Sequence, residues 1–166
     1  RNGALEGKAA FDAAKEVALR QLDVRARSQH ELERAMTSRG FSSETAHEVI
    51  ERLAELGLVD DLAFARAFAR GRFEAGGKTG SALKMDLSRK GLSSQIIAQV
   101  LSEIDADEEY SRAHALVEKK MRSLTMHDRQ VIRRRLFSML ARKGYAPQVC
   151  IRVIDELLES EDCDEL

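Results

Sequence analysis

Apolar residues along this chain recur at intervals of three and four, the spacing that gathers them on one side of a helix. Leu32 and Met36 share a face; Ala46, Val49, Ile50 and Leu53 form an amphipathic stripe. Phe64 and Phe68 fall on one face, and Ala113, Leu116, Val117 and Met121 on another. No stretch alternates or clusters as a parallel strand would. The pattern predicts an all-α fold.

The pattern also repeats. LERAMTSRGFSSETAHEVIERL from Leu32, LKMDLSRKGLSSQIIAQVLSEI from Leu83 and LFSMLARKGYAPQVCIRVIDEL from Leu136 align without gaps, their starts 51 and 53 residues apart. In each copy a base precedes a glycine: Arg39-Gly40, Lys90-Gly91, Lys143-Gly144. The base complements the dipole of a helix end, and the glycine suits the left-handed position beyond it. Ser42 and Ser93 can cap the helix that follows, and Pro147 fits a first turn; Ala146 is a poor cap. Each copy therefore predicts a helical hairpin. A further helix precedes each one, at 9–24, 60–74 and 107–124, with Asp60 as a cap. The chain divides into three three-helix modules, 9–56, 58–104 and 105–158, with an acidic tail at 159–166. A unit of this size buries only a small core. Modules in series would rest on one another and form an elongated, curved helical array.

Composition agrees with helix: 33% of residues are charged, 5% are aromatic, and there is one Pro. No run of 18 apolar residues exists, so a membrane span is not expected. The opening RNGALEGKAA has no signal-peptide core, which implies a cytoplasmic protein. Cys150 and Cys163 lack the His partners of a zinc site. Cys150 reads as a small core residue and Cys163 as a free thiol. Net charge is −1, but its distribution is uneven. Seven acids and no base lie between Asp155 and Leu166; without them 27 bases face 21 acids, a net of +6. That segment reads first as a solvated, frayed tail, and second as a competitor with phosphate for the basic face.

Catalytic motifs fail on spacing. GRFEAGGKTG, residues 71–80, approaches a phosphate-binding loop, but Gly77 stands where its lysine belongs and no strand precedes it. The stretch reads as a flexible link between helices that leaves Lys78 free for an anionic partner. His47-Glu48 opens like a zinc-protease motif, but Glu51 occupies the second His position. No metal, no cofactor and no enzymatic activity are expected. Basic residues remain as candidates for an anionic partner: Arg70, Arg72, Lys78, Lys84, Arg89 and Lys90, then Lys119, Lys120, Arg133, Arg134, Arg135, Arg142 and Lys143. For any one of them a solvated helix surface is the simpler account. The run Arg133-Arg134-Arg135 is harder to dismiss, because three adjacent bases repel.

These features together resemble a known family. Arg27-Ser28-Gln29-His30-Glu31-Leu32 leading to Arg39-Gly40-Phe41, Leu56-Gly57-Leu58-Val59-Asp60-Asp61 leading to Phe64-Ala65, Leu87-Ser88-Arg89-Lys90-Gly91-Leu92 and Leu140-Ala141-Arg142-Lys143-Gly144-Tyr145 are similar to RecX, the bacterial regulator of the RecA recombinase. The likeness spans residues 18–158. One departure is the turn before the second hairpin, where the family carries Tyr, Pro and bases; here Lys78 and Lys84 would substitute. The resemblance implies a monomer that lies in the groove of the RecA filament on single-stranded DNA. It would restrain ATP hydrolysis, strand exchange and LexA self-cleavage in recombination and the SOS response, touching DNA through its backbone. The alternative is a helix-turn-helix-like protein that binds DNA directly. The hairpin helices open with SSET, SSQI and APQV, which lack the bases of a recognition helix.

Overall fold

The structure, a computed structural model, describes residues 7–164. Among them every regular element is a helix: α1 (Lys8–Val24), α2 (Gln29–Thr37), α3 (Ser43–Glu55), α4 (Asp61–Gly76), α5 (Gly80–Arg89), α6 (Ser94–Ser102), α7 (Ala106–Met121), α8 (Arg129–Arg142) and α9 (Pro147–Asp164). In chain order they form three triplets, each a helix followed by a hairpin.

Local chemistry sets the boundaries. Ser42 accepts a hydrogen bond from the Thr45 amide at 3.1 Å, and Ser93 from the Ile96 amide at 3.2 Å. Asp60 accepts from the Ala63 amide at 3.1 Å. Gly40, Gly91 and Gly144 take φ values of 95°, 76° and 98°. The amides of Phe41, Leu92 and Tyr145 then close back on the carbonyls of Met36, Leu87 and Leu140 at 3.1–3.4 Å. This is the six-to-one bond that ends a helix on a left-handed glycine.

Two ends differ from expectation. α7 stops at Met121, and Leu124 enters the core from a turn in which its amide bonds the Met121 carbonyl at 3.0 Å. At the other end, the frayed-tail reading is corrected through Asp164, because α9 stays helical to that residue. Its acids find bases on α8: Arg129 pairs with Asp162 at 2.7 Å, and Arg133 pairs with Asp155. Glu165 and Leu166 lie outside the described residues.

The chain forms two compact units. One runs to Ala67 and takes in Leu87–Ile97; the other takes Phe68–Asp86 and the residues from Ala98 on. The division falls within α4, α5 and α6. The first unit's core sets Ala14 and Ala18 of α1 with Leu32 and Met36 of α2 and Ala46, Val49, Ile50 and Leu53 of α3. The second unit's core repeats the arrangement with Ala113 and Val117, Leu136 and Leu140, then Cys150, Val153, Ile154 and Leu158. Small residues on α1 and α7 let the hairpin approach closely. Leu32 and Leu136 are fully buried, so truncating either to Ala costs about 2–5 kcal/mol.

Candidate interaction surface

Two polar residues are buried among the described residues, Ser28 and Thr79. They share one register, four positions before Leu32 and Leu83. Each meets the base–glycine turn of the next copy. In the first unit, Ser28 Oγ donates to the Lys90 carbonyl at 2.7 Å and accepts from the Glu31 amide at 3.2 Å. Glu31 accepts in turn from the Ser28 amide, which completes a capping box. Its carboxylate also pairs with Arg25 at 2.6 Å and Lys90 at 3.2 Å. Burial pushes the Glu31 pKa up, but the hydrogen bonds from Arg25, the Ser28 amide and Lys90 outweigh it and bring the value down to about 2.

In the second unit, the Thr79 amide donates to the Lys143 carbonyl at 2.9 Å, and the Thr79 hydroxyl to Glu109 Oε2 at 2.5 Å. Lys143 Nζ donates to the Gly76 carbonyl at 2.7 Å, an acceptor that the end of α4 would otherwise leave open. The backbones nearly touch. A Cβ on Gly80 would stand 2.2 Å from the Gly144 carbonyl oxygen, and one on Gly144 would stand 1.9 Å from that of Thr79. At the first joint, a Cβ on Gly91 would meet the His30 ring at 2.1 Å. The third copy departs from the pattern. Ile132 holds the register of Ser28 and Thr79, and its amide already bonds the Asp128 carbonyl at 3.0 Å.

This geometry corrects the reading of residues 77–80. The stretch between α4 and α5 is not a loose link, because Thr79 is buried and tied to Lys143 and Glu109. Nor is Lys78 free: its ammonium pairs with Asp86 at 2.7 Å. Of the glycines that imitate a phosphate loop, Gly80 makes room for the turn at Gly144 and Gly77 for the Leu116 side chain, while Gly71 and Gly76 face open space.

The other predicted bases separate into committed and uncommitted groups. Arg70 makes two hydrogen bonds of 3.1 Å to Glu108 and pairs with Glu74 at 2.9 Å. Its pKa is raised and that of Glu108 lowered, the hydrogen bonds between them being the main cause. Lys90 and Lys143 serve the joints. Arg133 is held by Asp155, and Arg135 points a nitrogen at His127 Nε2, 3.4 Å away. Arg72 lies over the Phe68 ring, 5.0 Å from its centre. Arg89 is exposed near the end of α5. Among the described residues, Lys84, Lys119, Lys120, Arg134 and Arg142 are exposed and have no ion-pair partner. Arg89 and Lys90 belong to the first unit and the other predicted bases to the second.

Sequence reading missed the joints. The signal was present as a hydroxyl residue at one fixed register of two copies, but its buried partner is a main-chain carbonyl, which no residue type announces. Elsewhere His47 pairs with Glu33 at 3.2 Å, an ordinary surface contact. Tyr145 is buried with its hydroxyl unpartnered, and burial is the main cause raising its pKa to about 12. Cys150 is a buried free thiol, as expected, and Cys163 an exposed one.

Comparison with known proteins gives one consistent picture. Residues 14–53 match the first three-helix domain of RecX, residues 60–101 the second and residues 107–154 the third. The chain is 38% identical over 148 residues to a regulatory protein RecX of Amycolatopsis mediterranei, covering 89% of this chain and 85% of that one. It is 38% identical over 154 residues to the regulatory protein RecX of Mycolicibacterium smegmatis, covering 90% and 82%. The fold is similar to a crystal structure of RecX from Lactobacillus salivarius, with a TM-score of 0.82 at 22% identity over 89% of this chain and 96% of that one.

Proposed function

The chain belongs to the RecX family of regulatory proteins, and from that premise we propose that it regulates the RecA recombinase. It binds the RecA filament on single-stranded DNA as a monomer in the cytoplasm, lies along the filament groove, and restrains ATP hydrolysis, strand exchange and LexA self-cleavage. The observation that carries this reading is the repeated joint. Ser28 and Thr79 each fasten a helix start to the base–glycine turn of the next copy through the same register, which supports a repeat built for contact and not for chemistry. Helices of this size span about 20 Å, so several modules are needed to reach neighbouring subunits of a filament.

The uncommitted bases Lys84, Lys119, Lys120, Arg134 and Arg142 supply contacts to an anionic partner, including the DNA backbone. The acids of α9 compete with phosphate for α8, since they already hold Arg129 and Arg133. Such a regulator needs no bond-making group. It shifts the filament between states that it binds with different affinity.

The test is RecA ATP hydrolysis on single-stranded DNA with rising amounts of this protein, beside co-sedimentation with the filament. Inhibition that saturates with filament binding supports the reading. Absence of inhibition at every stoichiometry, with tight binding to naked duplex, would establish the DNA-binding alternative. Charge reversal at Arg133, Arg134 and Arg135 is expected to weaken filament binding with helical content intact. Most of the loss should trace to Arg134, the member of the run that has neither an acid nor a histidine beside it among the described residues.

A further inference from the structure

Between α8 and α9 lies a groove of about 330 Å³ with an apolar lining from Phe137, Ile151 and Ile154. Arg133 and Arg134 line it as well, and no acid does. Ile151 is 52% exposed, so a large aliphatic side chain faces solvent where burial would stabilise it.

The internal repeat shows that this is not a requirement of the hairpin. Ile154 is the repeated core position shared with Ile50 and Leu101. Phe137 and Ile151 are not shared. Their counterparts in the first copy are Glu33 and His47, which pair with each other at 3.2 Å on the surface. In the second copy they are Lys84 and Ala98. The same hairpin therefore folds with a polar pair at this place. Only in the third copy does the place become apolar, and there two arginines border it.

We propose that this groove is a docking site for an acidic peptide segment of a protein partner, with its aliphatic or aromatic side chains seated on Phe137 and Ile151 and its carboxylates on Arg134 and Arg133. Charge decides the choice of occupant. Arg134 has no acidic partner among the described residues, and Arg133 can exchange Asp155 for a partner's carboxylate. Nucleic acid fits less well. Phosphates gain nothing from an aliphatic floor, and a single ring, Phe137, offers little for stacking bases. A short amphipathic helix with anchors at successive turns matches an apolar groove between two helices. The groove shares Arg133 and Arg134 with the surface proposed for the filament, so peptide binding is read without RecA and through Phe137 and Ile151, and the two readings can fail separately.

The test uses the full chain and fluorescence anisotropy. The probe is a fluorescein-labelled synthetic peptide of Asp and Glu with Leu and Phe at helical spacing. A control peptide carries Ser in place of the apolar residues. Saturable binding of the first and at least about tenfold weaker binding of the second are expected. The double variant Phe137→Glu, Ile151→His imports the first copy's pair into the third and should weaken binding by about tenfold or more, with circular dichroism unchanged. If that variant loses helix, Ile151→Ser at an exposed position provides the same readout. Arg134→Glu should weaken binding as well. Equal binding of both peptides, undiminished binding to the Ile151 variants, or displacement by an oligothymidine as effective as by unlabelled peptide would each overturn the proposal. Displacement by the oligonucleotide would instead make the groove part of a nucleic-acid surface.

Discussion

The two joints do the same work with different parts. At Lys90-Gly91 the contact is made by side chains: the Ser28 hydroxyl, the Glu31 carboxylate and the His30 ring. At Lys143-Gly144 it is made largely by backbone, with the Thr79 amide on a carbonyl and glycine against main chain. The ring and carboxylate ends can rotate, but His30 Cβ, 2.2 Å from a Cβ on Gly91, stays where its backbone holds it. Main chain in a packed turn has nowhere to move. The same repeat has therefore produced one joint closed by side chains and one closed by main chain, both too crowded for a Cβ at the glycine.

The largest expected effect follows directly. Gly144→Ala places a methyl carbon 1.9 Å from the Thr79 carbonyl oxygen and 2.7 Å from the Ala82 amide, at a φ of 98°. It should cost more than about 3 kcal/mol in urea unfolding. Gly91→Ala sets its methyl 2.1 Å from His30 Cγ and 2.2 Å from His30 Cβ at a φ of 76°, and should cost about 2 kcal/mol, more of it recovered by adding His30→Gly than by His30→Ala, which keeps that Cβ. Equal costs at the two glycines would abolish the distinction.

Removing hydroxyls probes the same contrast from the other side. Ser28→Ala loses a helix cap and a buried donor together, at about 2 kcal/mol. Thr79→Val keeps the amide bond to Lys143 and loses the hydroxyl bond to Glu109, at about 1 kcal/mol. A larger loss at Thr79 would show that the second joint depends on its side chain after all.

The last contrast is read by titration. Glu31 has a pKa near 2 when folded and an ordinary value of 4.5. A depressed folded pKa means that its stabilisation is complete above pH 4.5 and disappears as pH falls toward 2. Unfolding of the wild-type chain should show this loss across that window, and Glu31→Gln should flatten it.

Much of the fold was legible because its causes are local. The turns at Gly40, Gly91 and Gly144 and the caps at Ser42, Ser93 and Asp60 depend on neighbours within one helical turn, and all stand where the repeat placed them. The surface was less legible because its causes are distant. Arg70 and Arg134 look alike as letters, but Glu108 comes from another helix to hold the first, and among the described residues no acid holds the second. Lys78 looked available until Asp86 was found beside it. Residues 77–80 looked pliable for the same reason, since the turn they fit against arrives from Lys143 and Gly144.

Ile132 has a consequence beyond its own helix. A repeat whose clasp fits its own turn can join one molecule to the next without limit, which is how open-ended fibres begin. Here the third copy presents an aliphatic side chain without a hydroxyl and an amide already engaged within α8. A second molecule offering its turn at Gly40 finds no hydroxyl and no open amide there, so this one route to a longer series is closed.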